Sequence, residues 1–339
     1  SGSWFGYIIT YSGAGGIKFY GDNTYAYKFE NNSDGFLLEL GPSSAAAGNR
    51  EIGNRINSDL EINPVGNGGI LVSCDRISID NLNGARSLKV YGSKTLTING
   101  YISEKNGAGA KLELLGTATV ILKGNSTITG ATSVNGGILE LQGDLSSSTI
   151  TVANGAKLRI NGDNVDINAL TINSGGVVEI LAGKSLTVNG TLTNNAGVTG
   201  LVVKSDASGT GSLIHSTAGV DATVERYIAG ADWANIADGW HFLSSPVAAQ
   251  SISPNFVTDP ANKYDFYAWY EPSNLWVNFK NTSSPPTWET ANTISNGQSS
   301  PSTNNFLIGK GYLAAYDDES TKTFSGQLNT EAVPISLTT

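Results

Sequence analysis

Few residues in this 339-residue chain could carry chemistry. Glu113, Glu140 and Glu179 occupy the middle position of a recurring six-residue phrase. Carboxylates repeated along one sheet are raw material for acid–base cleavage of polysaccharides, which needs two at a set separation and at least one with a shifted pKa. Here the middle position also holds Lys89, Thr97, Ile121, Arg159 and Thr187, so both signs of charge mix on one stripe, and no His or Tyr supports the glutamates. The pattern predicts a wet, solubilising face with ordinary pKa values. The two histidines, in SLIHST (His215) and WHFLSS (His241), read as strand residues satisfied by backbone partners. Cys74 is the sole cysteine and sits in the apolar run ILVSC, which excludes an intrachain disulfide and a thiolate metal cluster. Asp163 and Asp166 in GDNVDIN fall at a turn but lack the twelve-residue calcium loop pattern. A nucleophile elbow, a P-loop and a zinc motif are all missing. The expectation is no catalytic residue, no metal and no cofactor.

Aromatic residues offer a different chemistry. Five of the six tryptophans, Trp233, Trp240, Trp269, Trp276 and Trp288, crowd into the last third. In YDFYAWYEPSNLW, the residues Trp269, Tyr270 and Trp276 are candidates for a platform on which sugar rings stack. The same aromatics could fill a core instead. Tyr267 and Trp269 alternate with Phe266, Ala268 and Tyr270, so one set faces inward and the other outward. A hydrophobic core built on Trp240, Phe242, Trp269, Trp276 and Tyr312 is expected beyond about Ser212.

The elements that must position these residues are strands. The phrase aliphatic–polar–aliphatic–variable–glycine returns as SLKVYG, TLTING, KLELLG, TVILKG, ILELQG, KLRING and SLTVNG, with VVEILAG one residue longer. Period-2 alternation is the signature of a half-buried strand. One series of phrases starts at residues 87, 111, 138, 157 and 177, and a second contains 95 and 119. A drifting period in the twenties signals stacked repeats, here a parallel β-solenoid from about Leu60 to Ile214, of about seven coils at ~4.8 Å each. The first series predicts one internal ladder of Leu88, Leu112, Leu139, Leu158 and Val178. The closing glycines are expected to supply φ > 0 at corners. Asn-Gly pairs such as Asn83-Gly84 and Asn154-Gly155 keep antiparallel hairpins open as the rival.

The fold class expected is thus all-β, a parallel β-helix followed by a β-sandwich. Residues 1–58, with Trp4, Tyr7, Tyr11, Phe19, Tyr20, Tyr25 and Tyr27, read as an aromatic-rich β cap or the end of a preceding domain. Residues 59–211 form the solenoid and 212–339 the sandwich. A net charge of −9 argues against a nucleic-acid partner, and no apolar run is long enough for a membrane helix. The missing methionine and the ending PISLTT suggest a piece of a longer, processed product.

Thr127–Gly143, TITGATSVNGGILELQG, resembles the autotransporter-associated β-strand repeat through Thr129, Gly130, Thr132 and Val134–Gly137. That resemblance implies a right-handed β-helical stalk of a secreted passenger. Gly200–Ile228, followed by WHFLSSPV, YDFYAWYEPSNLW, FLIGKGYLAAY and FSGQLN, resembles the modules before the sorting domain in Bacteroidota surface proteins secreted by the type IX system. No sorting domain itself is found. The resemblance implies secretion and attachment at the cell surface. The expected function is therefore a structural or adhesive surface protein. Its partners would be glycans or other surface components, with assembly with other surface proteins or self-association. A carbohydrate-binding module and a polysaccharide-degrading β-helix enzyme are the alternatives.

Overall fold

A computed structural model describes residues 17–18, 27–31, 36–39, 51–53, 59–66, 68–232, 238–257, 261–293 and 304–330. The chain forms two compact units. One comprises the residues up to Glu179 with Lys184–Ala196 and Leu213–Ser216; the other comprises Ile180–Gly183, Gly197–Ser212 and the residues from Thr217 onward.

The first unit is a β-solenoid of about eight turns. Its strands pair in parallel, which settles the choice against hairpins. One sheet stacks Tyr27–Asn31, Leu60–Pro64, Ser87–Val90, Lys111–Leu114, Thr132–Val134, Leu145–Val152 and Val165–Ile172, then Ser185–Val188 and Leu192–Asn194. A second stacks Phe36–Glu39, Ile70–Ser73, Thr95–Ile98, Thr119–Leu122, Ile138–Leu141, Lys157–Ile160 and Val177–Ile180. A third, shorter sheet holds Ile17–Lys18, Glu51–Gly53, Arg76–Asp80 and Tyr101–Lys105. The parallel stack therefore begins upstream of Leu60, and the described part of residues 1–58 contributes strands to all three sheets. The aromatic side chains proposed for that segment lie outside the described residues.

The third sheet explains the drifting period. Coils that visit three faces are long, so Thr119 pairs with Thr95, 24 residues back. After Lys105 the third face has no strand of its own, and Thr119 pairs forward with Ile138 after only 19 residues. Eight-residue strands then bend through the corner, with a register irregularity between Leu145 and Thr149.

This shortening overturns the single ladder expected from the phrases. Leu88 and Leu112 share the first sheet, and the next residues in their ladder are Thr132, Ile150, Leu170 and Leu192. Leu139 and Leu158 belong to the second sheet, above Leu96 and Val120. Val178 lies on the next strand of that same sheet. Likeness of phrase marks a strand but not which face it joins. Thr132 interrupts the aliphatic column fully buried. Its hydroxyl meets Ser148 Oγ at 2.8 Å, and Ser148 Oγ donates to Gly130 O at 2.7 Å, so both buried hydroxyls are paired.

The corner glycines also differ from expectation. Of the closing glycines in the six-residue phrases, Gly92 alone has φ in the left-handed range, at 76°. The others are required by close approach. A Cβ on Gly116 would lie 2.3 Å from Gly92 O of the preceding coil, and one on Gly124 would lie 2.6 Å from Gly100 O. Strands stacked in parallel bring their corners into backbone contact, and only glycine fits there.

The second unit contains two sheets around one core. Leu201–Val203, Asp221–Ile228 and Ser320–Gln327 form one, with Asp221–Ile228 and Ser320–Gln327 antiparallel. The other is four-stranded and antiparallel, in the order His241–Leu243, Tyr312–Tyr316, Tyr264–Tyr270, Leu275–Asn278. Ile228 and Phe324 from the first sheet meet Leu243, Phe266, Tyr312 and Tyr316 from the second in a common cluster. This is a β-sandwich with an aromatic core: Phe256–Phe324 at 4.6 Å, Phe256–Phe306 at 4.8 Å and Phe266–Tyr312 at 5.5 Å between ring centroids. Tyr312 OH donates to the buried Asn292 Oδ1 at 2.7 Å, and Tyr316 OH donates to Phe256 O at 2.8 Å. Burial raises the pKa of both phenols. The expected core is thus corrected. Tyr312 belongs to it, but Trp240, Phe242, Trp269 and Trp276 do not, and Trp288 with the phenylalanines takes their place. Trp233 lies outside the described residues.

Candidate functional site

The hairpin 264–278 builds the site. Its connection, Glu271–Ser273, is a 3₁₀ turn begun by Pro272, whose fixed φ suits the first turn. Asn274 ends it in the left-handed region at φ 54°. Asn tolerates that conformation. The turn sets Trp269 directly opposite Trp276. Period 2 then sends Phe266 and Ala268 into the core and Tyr267 and Trp269 outward.

The outward rings form a row of three, Phe242, Trp276 and Trp269, and a separate pair, Trp240 and Tyr267. Trp269 and Trp276 lie 5.2 Å apart at 61°. Phe242, from the far edge strand, comes within 6.4 Å of Trp276. Trp240 meets Tyr267 edge-on at 5.8 Å. Exposure is high for side chains of this size: 74% for Phe242, 39% for Trp276 and 37% for Trp269. Scattered apolar residues on a surface are ordinary, but a contiguous aromatic patch marks a binding surface. Of the three platform residues named from sequence, two come together here. Tyr270 turns to the other side and packs against the core. Phe242 completes the row and was missed, because the parity of the short strand His241–Leu243 is fixed only by its pairing with Tyr312–Ala314.

Polar groups flank the row. Asp265, on the same outward phase as Tyr267 and Trp269, accepts from Asn278 Nδ2 at 2.9 Å and pairs with Lys280 Nζ at 3.1 Å. Beneath Trp269, Lys310 Nζ donates to the carbonyls of Trp269 at 3.1 Å, Ala291 at 2.9 Å and Thr293 at 2.9 Å. Its pKa is pushed down to about 8 by burial, slightly opposed by Glu271. The ammonium ties the strand end that carries Trp269 to the Trp288–Ala291 helix and the segment after it.

The other sequence candidates are brought to different ends. The charged stripe divides between sheets, with Glu61, Lys89 and Glu113 in one ladder and Glu140 and Arg159 in another. Arg159 bridges Glu140 at 3.4 Å and Glu179 at 3.9 Å, and Lys157 also pairs with Glu179 at 2.8 Å. Burial alone would raise the pKa of Glu140. Hydrogen bonds from Asn161, Gln142 and Arg159 more than offset it, so the pKa is lowered rather than ordinary. A carboxylate held in that way is a poor proton donor. Asp163 pairs with Lys184 at 2.8 Å. Cys74 is buried, with its Sγ donating to Arg76 O at 3.2 Å. His241 Nε2 is buried and finds no hydrogen-bond partner among the described residues, contrary to the expectation of a backbone-satisfied ring. No group of three or more metal-ligating side chains occurs among the described residues. No helix among them is long and apolar enough to cross a membrane.

No family model, curated protein or solved structure matches the chain.

Proposed function

We propose that this chain is a secreted surface protein with a structural and adhesive role, in which the solenoid is the structural segment and the sandwich unit holds glycan chains. The observation that carries the reading is the exposed row Phe242, Trp276, Trp269. Exposing such rings to water forgoes the free energy of burying them, and a sugar ring offers C–H faces that cover them while its hydroxyls stay hydrated. Asp265, Asn278 and Lys280 supply hydrogen-bonding groups on the same strands, as a sugar's equatorial hydroxyls require. The low charge density and abundant Ser, Thr and Asn suit many weak contacts, whose avidity grows with the number engaged. The resemblance of Thr127–Gly143 to autotransporter-associated repeats, and of the last third to type IX-secreted modules, supports an extracellular setting. Hydrolysis is left out of the proposal because Glu140, the most enclosed of the three glutamates, is held charged by three donors.

The test is retention of the full chain on a panel of immobilised polysaccharides, with released reducing ends measured alongside. Retention without turnover is expected, and the double variant Trp269→Ala/Trp276→Ala should lose it with an unchanged circular dichroism spectrum. Undiminished retention by that variant sinks the aromatic site. Turnover that Glu140→Gln or Glu179→Gln abolishes promotes the enzyme alternative.

A further inference from the structure

Beside Phe242 lies a cleft of about 150 Å³, lined by Thr210, Val224, Arg226, Leu243 and Phe324 among others. We propose that it takes the carboxylate-bearing ring of an acidic polysaccharide, a uronic acid residue, with Arg226 as the cation that receives the carboxylate, Lys322 behind it adding positive field, and Phe242 as the ring wall. The proposal rests on the glycan reading above and narrows its ligand.

Arg226 and Lys322 stand directly opposite each other in the antiparallel pair Asp221–Ile228 and Ser320–Gln327. Both lie on the inward phase of their strands: Arg226 shares the parity of Ala222, Val224 and Ile228, and Lys322 that of Phe324. Like charges directly opposite each other on a sheet are destabilising. The cost is increased here because Lys322 is only 9% exposed. Burial lowers its pKa. Its ammonium lies 4.0 Å over the Tyr316 ring, and no carboxylate pairs with it among the described residues. Arg226 is exposed, and its Nη1 donates to the hydroxyl of Thr210 at 2.9 Å. The one carboxylate lining the cleft, Glu225, is already engaged by Lys204 Nζ at 2.7 Å and by Ser205 N at 3.3 Å.

Two adjacent cations with no anion of their own, one of them buried, form a site that an anion stabilises. A guanidinium fork matches a planar carboxylate, and an ammonium adds a point charge. Phe242 at the rim joins this cleft to the aromatic row through Trp276. A polymer whose sugar rings stack on that row would bring an acidic ring within reach of Arg226.

Affinity electrophoresis of the full chain through gels containing polygalacturonate, neutral galactan or dextran sulfate tests the assignment. Polygalacturonate should retard the protein most, and added salt should weaken the effect. Arg226→Gln should lose about tenfold in affinity for polygalacturonate, the loss expected for one charge-assisted hydrogen bond, with galactan binding unchanged. Lys322→Met should raise the thermal midpoint of the free protein, because a buried charge is gone, and reduce the further rise that polygalacturonate gives the wild type. Retardation by galactan alone overturns this inference and leaves the aromatic reading standing. Polygalacturonate binding lost in Arg226→Gln but kept in Trp269→Ala/Trp276→Ala supports the cleft and removes the row. Stronger binding to dextran sulfate than to polygalacturonate overturns the carboxylate assignment, as does equal polygalacturonate binding by Arg226→Gln and wild type.

Discussion

The two units solve the same problem, burying one side of a strand, with opposite chemistry. In the solenoid the buried side is a set of aliphatic columns, such as Ile62, Val90, Leu114, Val134, Val152 and Ile172, each stacked on the next. In the sandwich it is an interlocked aromatic cluster in which large rings face small residues across the strands, as Phe266 faces Ala314 and Tyr312 faces Ala268. Parallel coils place equivalent positions over one another at a fixed spacing of about 4.8 Å, so each column accepts side chains of similar width and shape. Two antiparallel sheets face each other across a wider gap, which large rings fill by edge-to-face contacts. Similar residues in register are thus needed in one unit and unnecessary in the other, and the aromatic residues released from core duty in the sandwich are the ones left at its surface.

The contrast breaks most severely in the middle of a column. Leu139 lies between Val120 and Leu158, fully buried. Leu139→Asp puts an unpaired charge there and should cost about 4 kcal/mol or more. Chemical denaturation should show early loss of the solenoid transition, and a midpoint close to wild type would refute the dry column. Next in size is a comparison of tryptophans. Trp288→Ala empties the sandwich core and should cost about 3–5 kcal/mol. Trp276→Ala, at the surface, should stay within about 1 kcal/mol yet lose glycan retention. Equal thermal shifts for the two variants would erase the division between core and platform.

Glycine substitutions probe the stacking contact. Gly116→Ala drives a Cβ to 2.3 Å from Gly92 O, whereas Gly155→Ala meets open space and strains only its φ of 73°. The first should cost about 1–3 kcal/mol, as overpacking does, and the second about 1 kcal/mol. Reversal of that order in thermal melts would mean that backbone conformation, not coil contact, selects the corner residue. The smallest effect is a pH dependence. Lys310 is held at about 8 in the folded chain against 10.5 for a free lysine. Between those values the unfolded chain binds more protons, so this group's contribution to stability rises as pH increases from about 8 to 10.5 and is lost as pH falls through 8. Subtracting the Lys310→Met profile from the wild-type profile should isolate that slope; identical profiles would show that the ammonium is not desolvated.

Much of the solenoid was legible in the sequence because alternation is a local requirement and a corner glycine recurs in each phrase, although contact with the preceding coil is what selects it. Strand positions and the inward phase of each phrase follow from residues such as Leu88, Val90 and Gly92 read within one phrase, and the parallel stack was expected from the recurrence of the phrase. Which sheet a phrase joins was not local. Leu112 and Leu139 look alike but lie on different faces, because the third face loses its strands after Lys105 and the coil shortens. In the sandwich, alternation alone separated Phe266 and Ala268 from Tyr267 and Trp269, but it could not say which set faced the core. The second sheet decided that by covering Phe266. It also placed Phe242 outside and brought Arg226 opposite Lys322, positions about a hundred residues apart in the chain. Periodicity in the sequence fixes the two sides of a strand. Burial of one side is decided by what packs against it, and that comes from elsewhere in the chain.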